Sequence, residues 1–281
     1  MAEGRSPRPL RPDPSPSPQP ARRTSERPPS ALLLALESRA LFEWGAYAMS
    51  WPLLRKAPPG DGHPVLVLPG LIANDSTTWP LRRLLQELGY DVQPWAQGFN
   101  VGPKEHIVRN LVDRVTALSD EHQRKVSLVG WSLGGSMARA LATQMPERIR
   151  SVITLGSPHG GDPRHTNAWR VFEMVSGMKA DDPALHAQLS SPPPVPMTSI
   201  LSKTDGVVAW QMSLTPEHPL YESIELSASH LGMGANPAVL WLVADRLSQP
   251  EGGWQRFDRN GWRGVFFRDP HERRLADLIA P

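Results

Sequence analysis

The sequence predicts an α/β fold built on a doubly wound, mostly parallel sheet. Three observations carry this. Short, mainly apolar runs recur at 63–68, 125–129, 151–155 and 197–201. Segments of helical periodicity lie between them, and glycine or proline marks most of the junctions. Strands apolar on both faces belong to a sheet covered on both sides, and their alternation with helices makes that sheet parallel.

In chain order, residues 1–30 are rich in Pro, Arg and Ser and too poor in apolar side chains to fold, so they read as a disordered tail. Residues 31–49 read as a helix with bulky apolar positions on more than one side. It either packs on the domain or meets a membrane surface. The apolar run 63–68 is a strand ended by Pro69-Gly70-Leu71. Leu81, Leu84, Leu85 and Leu88 give one face to a helix over 78–88, with Gly89 as its stop. A strand over 90–95 and a turn at Asn100-Val101-Gly102-Pro103 lead to a helix over 104–122, carried by Ile107, Leu111, Val115 and Leu118. The strand at 125–129 is followed by a helix that Pro146 stops, and then by the strand at 151–155.

Between 160 and 195 the alternation lapses. Trp169, Phe172, Met174, Val175 and Met178 either roof a site as a small cap insertion or form the inner face of a packed helix. Strands at 197–201 and 223–226 and a helix over 237–247 complete a domain spanning 31–250. The extension 251–281 carries Asn260-Gly261 between two aromatic stretches, a hairpin signal.

Composition narrows the function. The 281 residues, 40% of them hydrophobic, can bury a full core. Net charge is +2, and its basic excess sits in the first thirty residues, six Arg against Glu3, Asp13 and Glu26. The near-neutral remainder implies no nucleic-acid surface. The absence of cysteine excludes disulfides, thiolate zinc sites and cysteine nucleophiles. No apolar run approaches the roughly twenty residues that cross a bilayer, which leaves only peripheral membrane contact. Arg22-Arg23 ahead of Ala31-Leu32-Leu33-Leu34-Ala35-Leu36 resembles a twin-arginine signal, but Glu37 and Arg39 cut the run short, and a cytoplasmic protein is expected.

The chemistry centres on Gly130-Trp131-Ser132-Leu133-Gly134, a G-x-S-x-G between a strand and a helix. In that setting it reads as a nucleophile elbow, its glycines giving room where strand and helix pass a sharply turned serine. A serine hydroxyl needs a base, and the base needs an orienting acid. In chain order after Ser132, Asp205 follows the strand ending at Leu201, and His230 follows the last strand. His159 and His165 precede Asp205, His218 precedes the last strand, and His271 lies in the tail. Asp162, Asp181 and Asp182 belong to the insertion, and Asp245 to the final helix. For an oxyanion, the expected donors are the backbone N–H groups of Leu71, after the first strand, and Leu133, at the helix start.

Five motifs, Leu68-Pro69-Gly70-Leu71, Gly130-Trp131-Ser132-Leu133-Gly134-Gly135, Leu155-Gly156-Ser157-Pro158-His159-Gly160-Gly161, Thr204-Asp205-Gly206-Val207-Val208 and Ser229-His230-Leu231-Gly232, resemble the α/β-hydrolase superfamily. Within it, the likeness is to bacterial serine hydrolases of the lipase and esterase type, over about 63–248. The resemblance implies a Ser132–His230–Asp205 triad, an oxyanion hole from Leu71 and Leu133, a small-molecule acyl ester as substrate, and no metal or organic cofactor. An acyltransferase or thioesterase with the same triad and a catalytically idle binding module are the alternatives. The sequence carries Pro69-Gly70 where many lipases have His-Gly, and it shows no long lid.

Overall fold

The computed structural model describes residues 27–272. The twin-arginine pattern, nearly all of the expected disordered tail and the last nine residues lie outside them. Six strands form one sheet: β1 Pro64–Leu68, β2 Asp91–Gln93, β3 Val126–Trp131, β4 Ile149–Leu155, β5 Met197–Leu201 and β6 Tyr221–Glu225. Their order is β2-β1-β3-β4-β5-β6 and every pairing is parallel.

The alternation of side chains along each strand divides the core into two layers. Val65 and Val67 of β1 point to one face, with Val129, Ile153 and Ile200 of the neighbouring strands. There they meet α2 (Ala40–Leu54), α3 (Trp79–Glu87) and α8 (Pro237–Leu247) through Tyr47 and Leu54, Leu81, Leu84 and Leu85, and Val239, Leu240 and Val243. Leu66 and Leu68 point to the opposite face, against α4 (Glu105–His122) and α5 (Leu133–Gln144). The helical stripes read from the sequence are these buried faces: Ile107, Leu111, Val115 and Leu118 of α4 are all buried. Each full burial of such a side chain contributes about 1.5–3 kcal/mol. The sheet is doubly wound.

Two regions differ from expectation. The N-terminal helix is longer and interrupted: α1 (Ala31–Ala35), capped by the Ser30 side chain, passes through a tight turn at Leu36–Arg39 into α2. That turn swings Glu37 inwards, where it is buried. The expected hairpin at Asn260-Gly261 is absent from the described residues. Gly261 does turn, at φ 64°, but it leads into a single helical turn, α9 (Arg263–Phe266), and no strand flanks it. Packing overrides the local signal: Phe257, Trp262 and Phe267 gather around Trp241 of α8, and Arg268 exchanges two backbone hydrogen bonds with Glu225 at the edge of β6. No helix among the described residues is long and apolar enough to cross a membrane.

Candidate active site

Ser132 sits where β3 turns into α5, with φ 53° and ψ −123°. A left-handed backbone at a non-glycine residue is strained and persists only where its surroundings hold it. The crowding that the glycines relieve is visible directly. A Cβ on Gly130 would lie 2.4 Å from the Cα of Gly135, and one on Gly134 would lie 2.4 Å from the carbonyl oxygen of Leu68. The turn lifts the hydroxyl out of the sheet at the amino end of α5.

The structure brings Ser132, His230 and Asp205 together. Ser132 Oγ is 3.0 Å from His230 Nε2, and His230 Nδ1 is 2.7 Å from Asp205 Oδ2. The carboxylate only accepts, so Nδ1 carries the proton and Nε2 is left to accept from the serine hydroxyl. The other oxygen of Asp205 accepts from the N–H groups of Val207 and Val208, both at 2.8 Å. Burial by itself would lower the pKa of His230. The Asp205 carboxylate, by charge and hydrogen bond, together with the charge of Glu37, outweighs burial and holds it above the ordinary histidine value.

The residues that fix these loops were not found in the sequence. Glu37 accepts from three backbone N–H groups, those of Gly206 at 2.7 Å, His230 at 3.0 Å and Leu231 at 2.8 Å. One carboxylate thus ties the acid loop to the base loop. Glu43 accepts from the N–H and hydroxyl of Ser229 and from Asn236, while Arg39 donates to the carbonyls of Thr204 and Ala228. Trp131 donates its indole N–H to the His230 carbonyl at 3.0 Å. Gly156, left-handed at φ 54°, lies against the pair: a Cβ there would sit 3.0 Å from Asp205 Oδ2 and 3.1 Å from His230 Nδ1. Its place after β4 in the Gly156-Ser157-Pro158 motif was the one available signal.

Leu71 and Leu133 line the cleft beside Ser132. Leu133 opens α5, so its N–H has no carbonyl one helical turn earlier to bond. The loop presenting Leu71 is braced by buried Asn100, whose side chain donates to the Pro69 carbonyl and whose backbone exchanges with Ile72 and Ala73. Gly70 lets this loop close on the serine; an added Cβ would be 3.3 Å from Ser132 Cβ.

The cleft is open to solvent and has a volume of about 120 Å³. The connection from β4 to β5 carries α6 (Trp169–Ser176) and α7 (Pro183–Ser190), and both contribute to its wall. Trp169, Phe172, Leu185, Leu189, Val208 and Met212 give it an apolar lining, while Met174 of α6 points to solvent. One side of α6 thus lines the cleft and the other faces outwards.

The competing residues are occupied elsewhere. Asp162 caps a short turn, Asp182 caps α7, Asp181 pairs with Arg164 and Asp245 with Arg246. His159 is buried between the hydroxyls of Thr154 and Ser199. Among the described residues, no group of three or more His, Asp or Glu is placed to hold a metal ion.

Known proteins share this arrangement of strands and turns. The profile of the palmitoyl protein thioesterase family matches residues 64–191, under half of the chain. A pimeloyl-[acyl-carrier protein] methyl ester esterase of Shewanella woodyi is 31% identical over 112 residues, 39% of this chain and 42% of that one. The serine hydrolase BPHL of Mus musculus is 28% identical over 108 residues, 35% of this chain and 37% of its own. The matched stretches therefore span about two fifths of the length of these curated relatives. Among solved structures, Aspergillus fumigatus lipase B superposes with a TM-score of 0.53 at 18% identity, over 68% of this chain and 54% of that one, a likeness of fold. With the all-parallel sheet and its strand-to-helix serine turn, these similarities show that the chain has the α/β-hydrolase fold.

Proposed function

We propose that the protein is a serine hydrolase that cleaves carboxylic esters through an acyl-serine intermediate. One observation carries this reading: the chain of hydrogen bonds from Asp205 through His230 to Ser132, at the mouth of an apolar cleft. In the first half-reaction Ser132 Oγ attacks the acyl carbonyl carbon while His230 Nε2 takes its proton. Asp205 holds the ring and stabilises the imidazolium. The N–H groups of Leu71 and Leu133 receive the negative charge that develops on the carbonyl oxygen. Collapse of the tetrahedral intermediate expels the alkoxide, which takes the proton from His230. Water then repeats the sequence on the acyl-serine and releases the acid. The apolar lining favours the acyl chain as the group held during both halves.

The family profile that matches 64–191 favours a second reading, cleavage of an acyl thioester by the same residues. The methyl ester esterase among the relatives favours the oxyester. Rapid mixing with nitrophenyl esters of increasing chain length, beside the matching acyl-coenzyme A thioesters, tests both. The ester reading requires a burst of nitrophenol and faster turnover of the oxyester; a faster thioester would favour the second reading. No burst and no turnover on any acyl donor would leave an idle fold.

A further inference from the structure

The segment Ala31–Leu54 keeps all its charges on one side. Its only charged residues, Glu37, Arg39 and Glu43, are turned towards the loops that carry Asp205 and His230. Every exposed side chain in the segment is apolar except that of Ser38. Leu41, Phe42, Gly45, Met49, Pro52 and Leu53 share the outer face of α2, and Leu41, Phe42 and Met49 are 78%, 82% and 85% exposed. Leu32, Leu34 and Leu36 continue the exposure through α1 and the tight turn. Scattered apolar residues on a surface need no explanation, but a continuous face without a charge marks an interaction surface.

Charge identifies what the face meets. Arg5, Arg8, Arg11, Arg22, Arg23 and Arg27 precede it against three acids, and Arg55 and Lys56 follow it. The chain after residue 30 carries one net negative charge, so the basic excess of the sequence lies in the stretch that leads into the apolar face. A second copy docking symmetrically would bring these like charges together. An anionic lipid surface would neutralise them while taking up the apolar side chains. The segment cannot span: the 15 residues of α2 reach about 22 Å against the roughly 30 Å of a hydrocarbon core, and its inner face is tied to the domain.

We propose that the outer face of residues 31–54 lies in the headgroup boundary of an anionic membrane. The position beside the active-site loops follows from the contacts already described. Leu33 packs so tightly on the acid loop that a Cβ on Gly206 would lie 2.4 Å from its carbonyl oxygen, and exposed Leu231, next to His230, adds to the apolar surface. On the esterase reading above, this docking lets the cleft take acyl esters from the lipid phase.

Flotation of the full chain with phosphatidylcholine vesicles, with and without phosphatidylglycerol, tests the docking. The full chain should float at least about tenfold more with the anionic vesicles, and less as salt is raised. Phe42→Glu with Met49→Glu should lose that binding at least about tenfold while keeping turnover of a short water-soluble ester. Ser132→Ala should float like the parent chain, which separates failure of docking from failure of the catalytic reading. Absence of flotation, flotation that Phe42→Glu with Met49→Glu retains, or equal binding to phosphatidylcholine alone would overturn the proposal. So would a dimer in sedimentation that the paired substitution dissolves, since the face would then belong to a second copy.

Discussion

Two buried histidines lie at the same carboxyl edge of the sheet and have opposite electrostatics. His230 faces the carboxylate of Asp205, with the charge of Glu37 nearby, and its pKa is raised although burial opposes this. His159 is also fully enclosed, but its partners are the neutral hydroxyls of Thr154 and Ser199. Burial, reinforced by the charge of Arg139, holds its pKa well below the ordinary value. Enclosure alone therefore makes a neutral structural histidine. A base that can take a proton and keep it through a transition state needs an anion on its far side.

The largest effect should come from exchanging the fates of these two rings. His230→Ala should lower kcat/KM on an activated ester by about 10⁴-fold or more, while His159→Ala should stay within about tenfold. The latter should instead cost about 1–3 kcal/mol of stability by taking from the buried Thr154 hydroxyl its ring partner, while Ser199 keeps its bond to the Ser213 carbonyl, read as a shift in the denaturant midpoint. Asp205→Asn should approach the loss at His230, because an amide fixes the wrong tautomer. Gly156→Ala comes next, at about 100-fold, since its Cβ would press on the Asp205–His230 pair from a left-handed backbone.

Smaller effects sharpen the electrostatics. The proposed mechanism requires the neutral form of His230, so ester turnover should fall as pH drops through a midpoint above 6.5, the histidine reference. Glu37→Gln removes one of the charges that raise that pKa and should move the midpoint of the pH–rate profile downwards, with about a tenfold loss of turnover from loosened loops. The linkage to stability has opposite signs at the two rings. His230, raised, stabilises the fold below about pH 6.5 and loses that contribution as pH rises through its own pKa. His159, lowered, stabilises above about pH 6.5 and loses it on acidification. Denaturant midpoints between pH 7 and 5 should therefore fall less in His159→Asn than in the parent chain.

What the sequence disclosed follows the same division. The serine turn is local chemistry: an apolar strand, close-set glycines and a helix, all within one stretch, so Ser132 and its surroundings were legible. Asp205 and His230 were legible because each follows a strand, and parallel strands deliver their following loops to one edge. Glu37 was not. It lies 193 residues before the His230 amide it binds, and no spacing marks a carboxylate that will accept backbone N–H groups across the fold. In the tail, Asn260-Gly261 did signal a turn, but the flanking aromatic residues found better burial against Trp241 than a paired strand would give.

A fluorophosphonate, whose phosphorus takes the place of the acyl carbon, tests most directly the claim that an anion-backed ring activates one serine. Peptide mass mapping should find a single adduct on Ser132 in the parent chain and in His159→Ala, and almost none in His230→Ala. An adduct on another residue, or one on Ser132 that forms equally fast without His230, would contradict the account.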